Sequence, residues 1–150
     1  QRFYSNLVLD NAEGISAGTG PDTWVIGNTF SGSRLSPNGT LGRAINKGAS
    51  ANTIARNNLI LSSDFGIDST VAGNNSHNAF WGVGSNYRNS ANGTSDVTAN
   101  PLVDANYRPA ATSPLRGAGL HLAYARDYQG LQRRRPPTIG AFEVPRRRAA

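Results

Sequence analysis

The chain has 150 residues, 37% of them apolar, with 17 glycines and neither cysteine nor methionine. That is enough for one domain with its own core. It excludes disulfides and thiolate metal sites, and no apolar run is long enough to cross a bilayer as a helix. The formal charge of +6 is confined to the last third: residues 1–100 balance six basic against six acidic side chains, and residues 101–150 set nine arginines against Asp104, Asp127 and Glu143.

In chain order, short apolar and β-branched runs recur between polar turns. One phrase appears as Ser5-Asn6-Leu7-Val8-Leu9, Asn28-Thr29-Phe30, Asn57-Asn58-Leu59-Ile60-Leu61 and His77-Asn78-Ala79-Phe80, with steps of 23, 29 and 20 residues when Ser5, Asn28, Asn57 and His77 are equated. A second phrase, Glu13-Gly14-Ile15, Arg43-Ala44-Ile45 and Phe65-Gly66-Ile67, keeps the same beat with steps of 30 and 22. Repeats of this length read as an all-β solenoid in which each repeat adds one coil. Four partial coils are expected over residues 1–84, with residues 85–150 forming a loop and a capping segment of the same domain. Because Phe3–Leu7 already reads as mid-repeat, earlier coils are expected upstream. Helical periodicity is absent apart from a hint at Leu120–Ala125.

Asparagine at repeated turn positions tolerates left-handed backbone angles and can bond its counterpart one coil away. Asn28 and Asn57 are the expected rungs of such a structural ladder, continued by Asn74 or Asn78. Beyond Gly84 the rhythm stops, and Ser85–Ser95 reads as a loop.

The order Asn100-Pro101-Leu102-Val103-Asp104, Tyr107-Arg108, Ser113-Pro114-Leu115-Arg116-Gly117-Ala118-Gly119 and Ile139-Gly140-Ala141-Phe142-Glu143 resembles the C-terminal end of secreted proteins of the pectate-lyase-like superfamily. Its alginate and chondroitin lyases of the chondroitinase B type carry a similar tail. The likeness is specific over residues 97–143 and extends to 3–82 only as a repeat style. It implies a right-handed parallel β-helix, secreted or displayed at the cell surface and associated with polysaccharide. It does not imply one activity, because the same fold carries many.

Lyases of this kind use a lysine and an arginine on adjacent coils, with carboxylates that hold calcium. Lys47, the only lysine, with Arg43 and Arg56 is the catalytic candidate, and calcium enters only under that reading. No acidic cluster accompanies them, and the hydrolase phrases Asn-Thr-Asp, Asp-Asp and Gly-His-Gly are missing, so Asp64 and Asp68 read as turn caps. His77 and His121 lack carboxylates at ligand spacing, and no metal or other cofactor is expected. Trp81 and Trp24 are the candidate sugar-stacking residues. Arg133-Arg134-Arg135 and Arg146-Arg147-Arg148 read as tail charge suited to a polyanion; with no aromatic residue interleaved, nucleic acid is not expected. The function read from the sequence is therefore binding or scaffolding on polysaccharide. The alternatives are a polysaccharide lyase with part of its site here, or a subunit that self-associates through an open N-terminal coil. The Ile139–Phe142 run is expected to pair with the body as a strand, leaving Arg146–Ala150 exposed.

Overall fold

A computed structural model describes residues 1–18, 22–39, 41–50, 52–71 and 74–145. Among them there is no helix. Twelve short strands follow one another: β1 (Arg2–Tyr4), β2 (Leu7–Leu9), β3 (Glu13–Ser16), β4 (Trp24–Ile26), β5 (Thr29–Ser31), β6 (Arg43–Gly48), β7 (Ile54–Arg56), β8 (Leu59–Leu61), β9 (Phe65–Ser69), β10 (Asn74–Ser76), β11 (Ala79–Trp81) and β12 (Ser85–Arg88). They form three parallel four-stranded sheets in the orders β1-β4-β7-β10, β2-β5-β8-β11 and β3-β6-β9-β12. The chain thus visits the three sheets in rotation, an order consistent with a parallel β-helix-like solenoid.

Side-chain alternation explains the interior. The middle residue of each strand points inward, and register stacks it on its counterpart in the next coil. Three columns result: Phe3, Val25, Ala55 and Asn75; Val8, Phe30, Ile60 and Phe80; and Ile15, Ile45, Ile67 and Tyr87. Val25, Phe30, Ile45, Ala55, Ile60 and Ile67 are completely buried. The third column carries the second sequence phrase in the register read from the sequence. Its preceding small residue has a steric cause: a Cβ at Gly14 would lie 2.9 Å from the Phe30 ring, and one at Gly66 2.7 Å from the Phe80 ring.

The first phrase is shifted by one residue from the expected register. Thr29 pairs with Leu59, which sets Asn28 opposite Asn58 and not opposite Asn57. The asparagine ladder is Asn6, Asn28, Asn58 and Asn78, at steps of 22, 30 and 20 residues. Each Oδ1 accepts two hydrogen bonds from the preceding rung, one from its backbone N–H and one from its Nδ2. The distances are 2.9 and 2.9 Å at Asn28, 3.1 and 3.1 Å at Asn58, and 3.1 and 3.0 Å at Asn78. Asp96 ends the row by accepting from Asn78 N at 2.9 Å. Asn57 belongs to a different row, Ser5, Gly27, Asn57 and His77, whose φ angles of 55°, 67°, 56° and 53° turn the chain from one sheet to the next. Asparagine suits both a left-handed turn and a rung, and the adjacent Asn57 and Asn58 fill one each, which is why the sequence conflates the rows.

Ser85–Arg88, expected as loop, is strand β12 against β9. Bridges from Ser76 to Thr94 and from Ala79 to Val97 carry the pairing part-way into a further turn. The C-terminal segment then lies along the outside of the second sheet, where Leu59, Leu61 and Ala79 pack on Leu115 and Ile139. Ile139–Phe142 is buried, as expected, but forms no strand. Two of its N–H groups go singly to the body, Gly140 to Asn57 O (2.8 Å) and Ala141 to Thr29 Oγ1 (2.9 Å), while Ile139 donates within the segment to Leu115 O (3.1 Å). The expected exposed end, Arg146–Ala150, lies outside the described residues. Leu120–Ala125 is not helical, and Tyr124 from this stretch sits on Gly27, where a Cβ would approach its ring to 2.6 Å.

Candidate functional site

The three cationic candidates do not share a face. Arg43 opens β6 on the outside of the third sheet, and Arg56 ends β7 in the first sheet. Lys47 lies two residues beyond the inward Ile45, so strand alternation puts its side chain inside, beside the β6–β9 register shift. Lys47 is fully buried, and its Nζ donates to Asn75 Oδ1 at 3.1 Å. Asn75 occupies an inward position that valine or alanine fills in the coils before it. Burial pushes the Lys47 ammonium down to about 8, but an amine without access to solvent cannot reach a polymer substrate.

Arg43 is equally committed. It donates to Asp68 Oδ2 at 2.9 Å and Glu13 Oε2 at 3.2 Å, and Arg88 approaches the same Asp68 oxygen at 3.6 Å. Burial opposes charge on both Glu13 and Arg43. Bonds from Asn46, Ser16 and Arg43 nevertheless hold Glu13 below its ordinary value, while Asp68 and Glu13 raise Arg43. Two carboxylates and two guanidiniums close on one another, so this face is neutral and braced across the coils. Asp64 is held separately by Arg34 at 3.1 Å and by the Leu35 N–H at 2.6 Å. Asp64 and Asp68 therefore serve different arginines and form no catalytic pair.

Tyr87 donates to Asp96 at 2.6 Å. Burial and this carboxylate push the Tyr87 hydroxyl well up, and burial raises Asp96. Among the described residues, no group of three or more His, Asp or Glu side chains is placed to hold a metal ion, and no helix is long and apolar enough to cross a membrane. Trp81 is 46% exposed at the end of β11. Trp24 is half-buried under the Arg2 guanidinium, 5.0 Å from its ring centre.

The C-terminal arginines divide by position. Arg133, read from the sequence as tail charge, is an internal clamp. Its guanidinium donates to the carbonyls of Thr138 (3.0 Å), Gly140 (2.8 Å), Ala141 (3.1 Å) and Gly27 (3.3 Å) and to Ser5 Oγ (3.0 Å). It also covers the Tyr124 ring at 4.7 Å. Five acceptors converging on one side chain tie the C-terminal segment to the first two coils. Asn57 adds a second tie: its Nδ2 donates to Leu120 O at 2.8 Å and Tyr124 Oη at 3.0 Å, and its Oδ1 accepts from Leu120 N at 2.8 Å.

Arg134 is half-buried and Arg135 exposed. They line three neighbouring open grooves of about 580, 480 and 810 Å³. His121 joins the first, Arg116 the second and Glu143 the third. Among the described residues no carboxylate forms an ion pair with Arg116, Arg134 or Arg135. Glu143 is buried and already accepts from the backbone N–H groups of Thr138 and Arg134 at 3.0 and 3.3 Å. The sequence signals charge here but not the division, because Arg133 and Arg134 differ in surroundings and not in type. Compared with known proteins, the chain matches no family model, no curated protein and no solved structure.

Proposed function

We propose that this chain is a right-handed parallel β-helix of the pectate-lyase-like kind, acting outside the cell, and that it binds an acidic polysaccharide in the grooves lined by Arg134 and Arg135. The observation that carries the reading is the unpaired charge of these two arginines across three contiguous grooves. Within the coils, by contrast, Arg34, Arg43 and Arg88 are held by Asp64, Glu13 and Asp68, and Lys47 is buried against Asn75. Guanidinium groups bind carboxylate or sulfate oxygens through paired hydrogen bonds, which suits a polymer that repeats an anion at regular spacing. Binding is favoured over turnover because Lys47 is sealed in the interior and Arg43 is held by two carboxylates.

Affinity electrophoresis through gels containing alginate or polygalacturonate, against a polymer-free gel, tests this. The acidic gels should retard the protein relative to the polymer-free gel. The Arg134→Ala/Arg135→Ala variant should then run unretarded. Equal migration in the acidic and polymer-free gels, or an unchanged double variant, would overturn the reading. Release of unsaturated product from any of these polymers, abolished in Lys47→Ala, would favour a lyase instead.

A second reading, self-association through the N-terminal coil, is favoured by the ladder. Asn6 is exposed, and its Oδ1 accepts no hydrogen bond among the described residues, unlike that of every later rung. β1, β2 and β3 also stand at sheet edges, where another strand can add. Light scattering that rises with protein concentration, and is reduced by Asn6→Ala, would support it; a concentration-independent monomer would exclude it.

A further inference from the structure

Two stretches of the C-terminal segment, which share little beyond one aspartate, fold into the same hairpin. In the first, Val103 bridges Pro109, Asp104 N donates to Arg108 O, and Tyr107 N donates to Asp104 O. In the second, Arg126 bridges Gln132, Asp127 N donates to Leu131 O, and Gly130 N donates to Asp127 O. Each aspartate Oδ1 accepts from the N–H groups two and four residues on: Asn106 and Arg108 at 2.8 and 2.9 Å, Gln129 and Leu131 at 2.9 and 2.7 Å. The fourth position is left-handed in both, with φ 63° at Tyr107 and 82° at Gly130. Such turns are held by their own bonds and are set before any ligand arrives.

The tips of the two hairpins face each other across a cleft of about 300 Å³ floored by Leu7, Leu9 and Phe142. Equivalent positions supply the planar amides of Asn106 and Gln129, one from each side. The Tyr128 ring meets Phe142 edge-on at 5.4 Å, which fixes it, yet Tyr128 is 55% exposed. The Arg108 guanidinium stands 5.9 Å from the Phe142 ring. Among the described residues, no hydrogen bond occupies the side-chain amides of Asn106 or Gln129 or the guanidinium of Arg108. Asp104 and Asp127 sit one in each hairpin, so Arg108 does not make the cleft an anion site.

We infer that this cleft binds a neutral pyranose ring whose hydroxyl groups are equatorial. Such a ring has a flat face of C–H groups, which stacks on an exposed aromatic ring, and directs its hydroxyls outward in the ring plane. Free amides on opposite walls donate to and accept from those hydroxyls, and an apolar floor excludes water from the stacked face. The site is separate from the arginine grooves and does not depend on them. It also differs from the tryptophans singled out by the sequence, since it is built from two turns brought together only by the fold.

The test is calorimetric titration of the full chain with cellotriose at low and high salt. Binding should be insensitive to salt, weakened at least about tenfold by Tyr128→Ala, retained in Tyr128→Phe, and weakened by Gln129→Ala. Arg134→Ala/Arg135→Ala should leave it unchanged. Failure of the wild-type chain to bind cellotriose, or binding indifferent to both Tyr128→Ala and Gln129→Ala, would overturn the inference. Alginate retardation of the same proteins separates the two sites. Intact retardation with no cellotriose binding sinks the cleft alone, and the reverse sinks the arginine grooves alone.

Discussion

Replacing Asn58 by alanine removes the central rung of the ladder and tests the register directly. Asn58 makes four side-chain hydrogen bonds: Oδ1 accepts from Asn28 N and Nδ2, and Nδ2 donates to Asn78 Oδ1 and to Val25 O at 2.8 Å. Asn28 Nδ2 keeps Phe3 O, and Asn78 Oδ1 keeps the Asn58 N–H. The Asn28 N–H and the Asn58-directed lone pair of Val25 O lose their partners in the interior. Each such loss costs about 1–3 kcal/mol, so the variant should be destabilised by roughly 2–6 kcal/mol. That is a large share of the ~5–15 kcal/mol that holds a domain of this size. Asn6→Ala, at the solvent end, should stay within about 0.5 kcal/mol because water replaces what is lost. Urea unfolding followed by tryptophan fluorescence measures both, with equal slopes expected. Equal, small losses in the two variants would refute a buried, polarised ladder.

Two further outcomes follow from buried cations. The folded-state pKa of Lys47 is about 8 against 10.5 unfolded, so between these values the unfolded chain binds more protons and stability should rise with pH. The rise should be on the order of 3 kcal/mol, and Lys47→Met should abolish it; urea midpoints across this range that move alike in both proteins would contradict the burial. Arg133→Lys keeps the charge but offers too few donors for five acceptors. A loss of at least about 2 kcal/mol is expected, against almost none for Arg135→Lys, read from thermal melts.

Much of the solenoid is legible because its rules are local. The Gly-Ile and Ala-Ile pairs recur because a small residue must clear the neighbouring phenylalanine and the isoleucine must enter the column. The asparagine register slips by one because Asn57 and Asn58 meet different needs, a left-handed turn and a rung, with the same side-chain type. Strand β12 is invisible in Ser-Asn-Tyr-Arg, whose pairing comes from the edge that β9 offers and not from its own propensity. Lys47 reads as a surface cation because its charge outweighs the strand alternation that sets it on the same inner face as Ile45. The paired hairpins share only aspartate at equivalent positions and come together through the packing of the whole C-terminal segment. Arg133 and its two neighbours are identical in sequence terms, and only the convergence of Thr138, Gly140, Ala141 and Gly27 carbonyls singles one out.

The salt dependence of alginate binding tests the functional account most directly. Attraction between exposed arginines and a polyanion is screened as ionic strength rises, and each cation that contacts the polymer steepens the fall in affinity. Wild-type affinity should therefore drop steeply with added sodium chloride. The Arg134→Ala/Arg135→Ala variant should bind more weakly at low salt, with a slope of log affinity against log salt reduced by about one for each arginine removed. The same affinity and the same slope in both proteins would contradict the assignment of the polyanion site to these grooves.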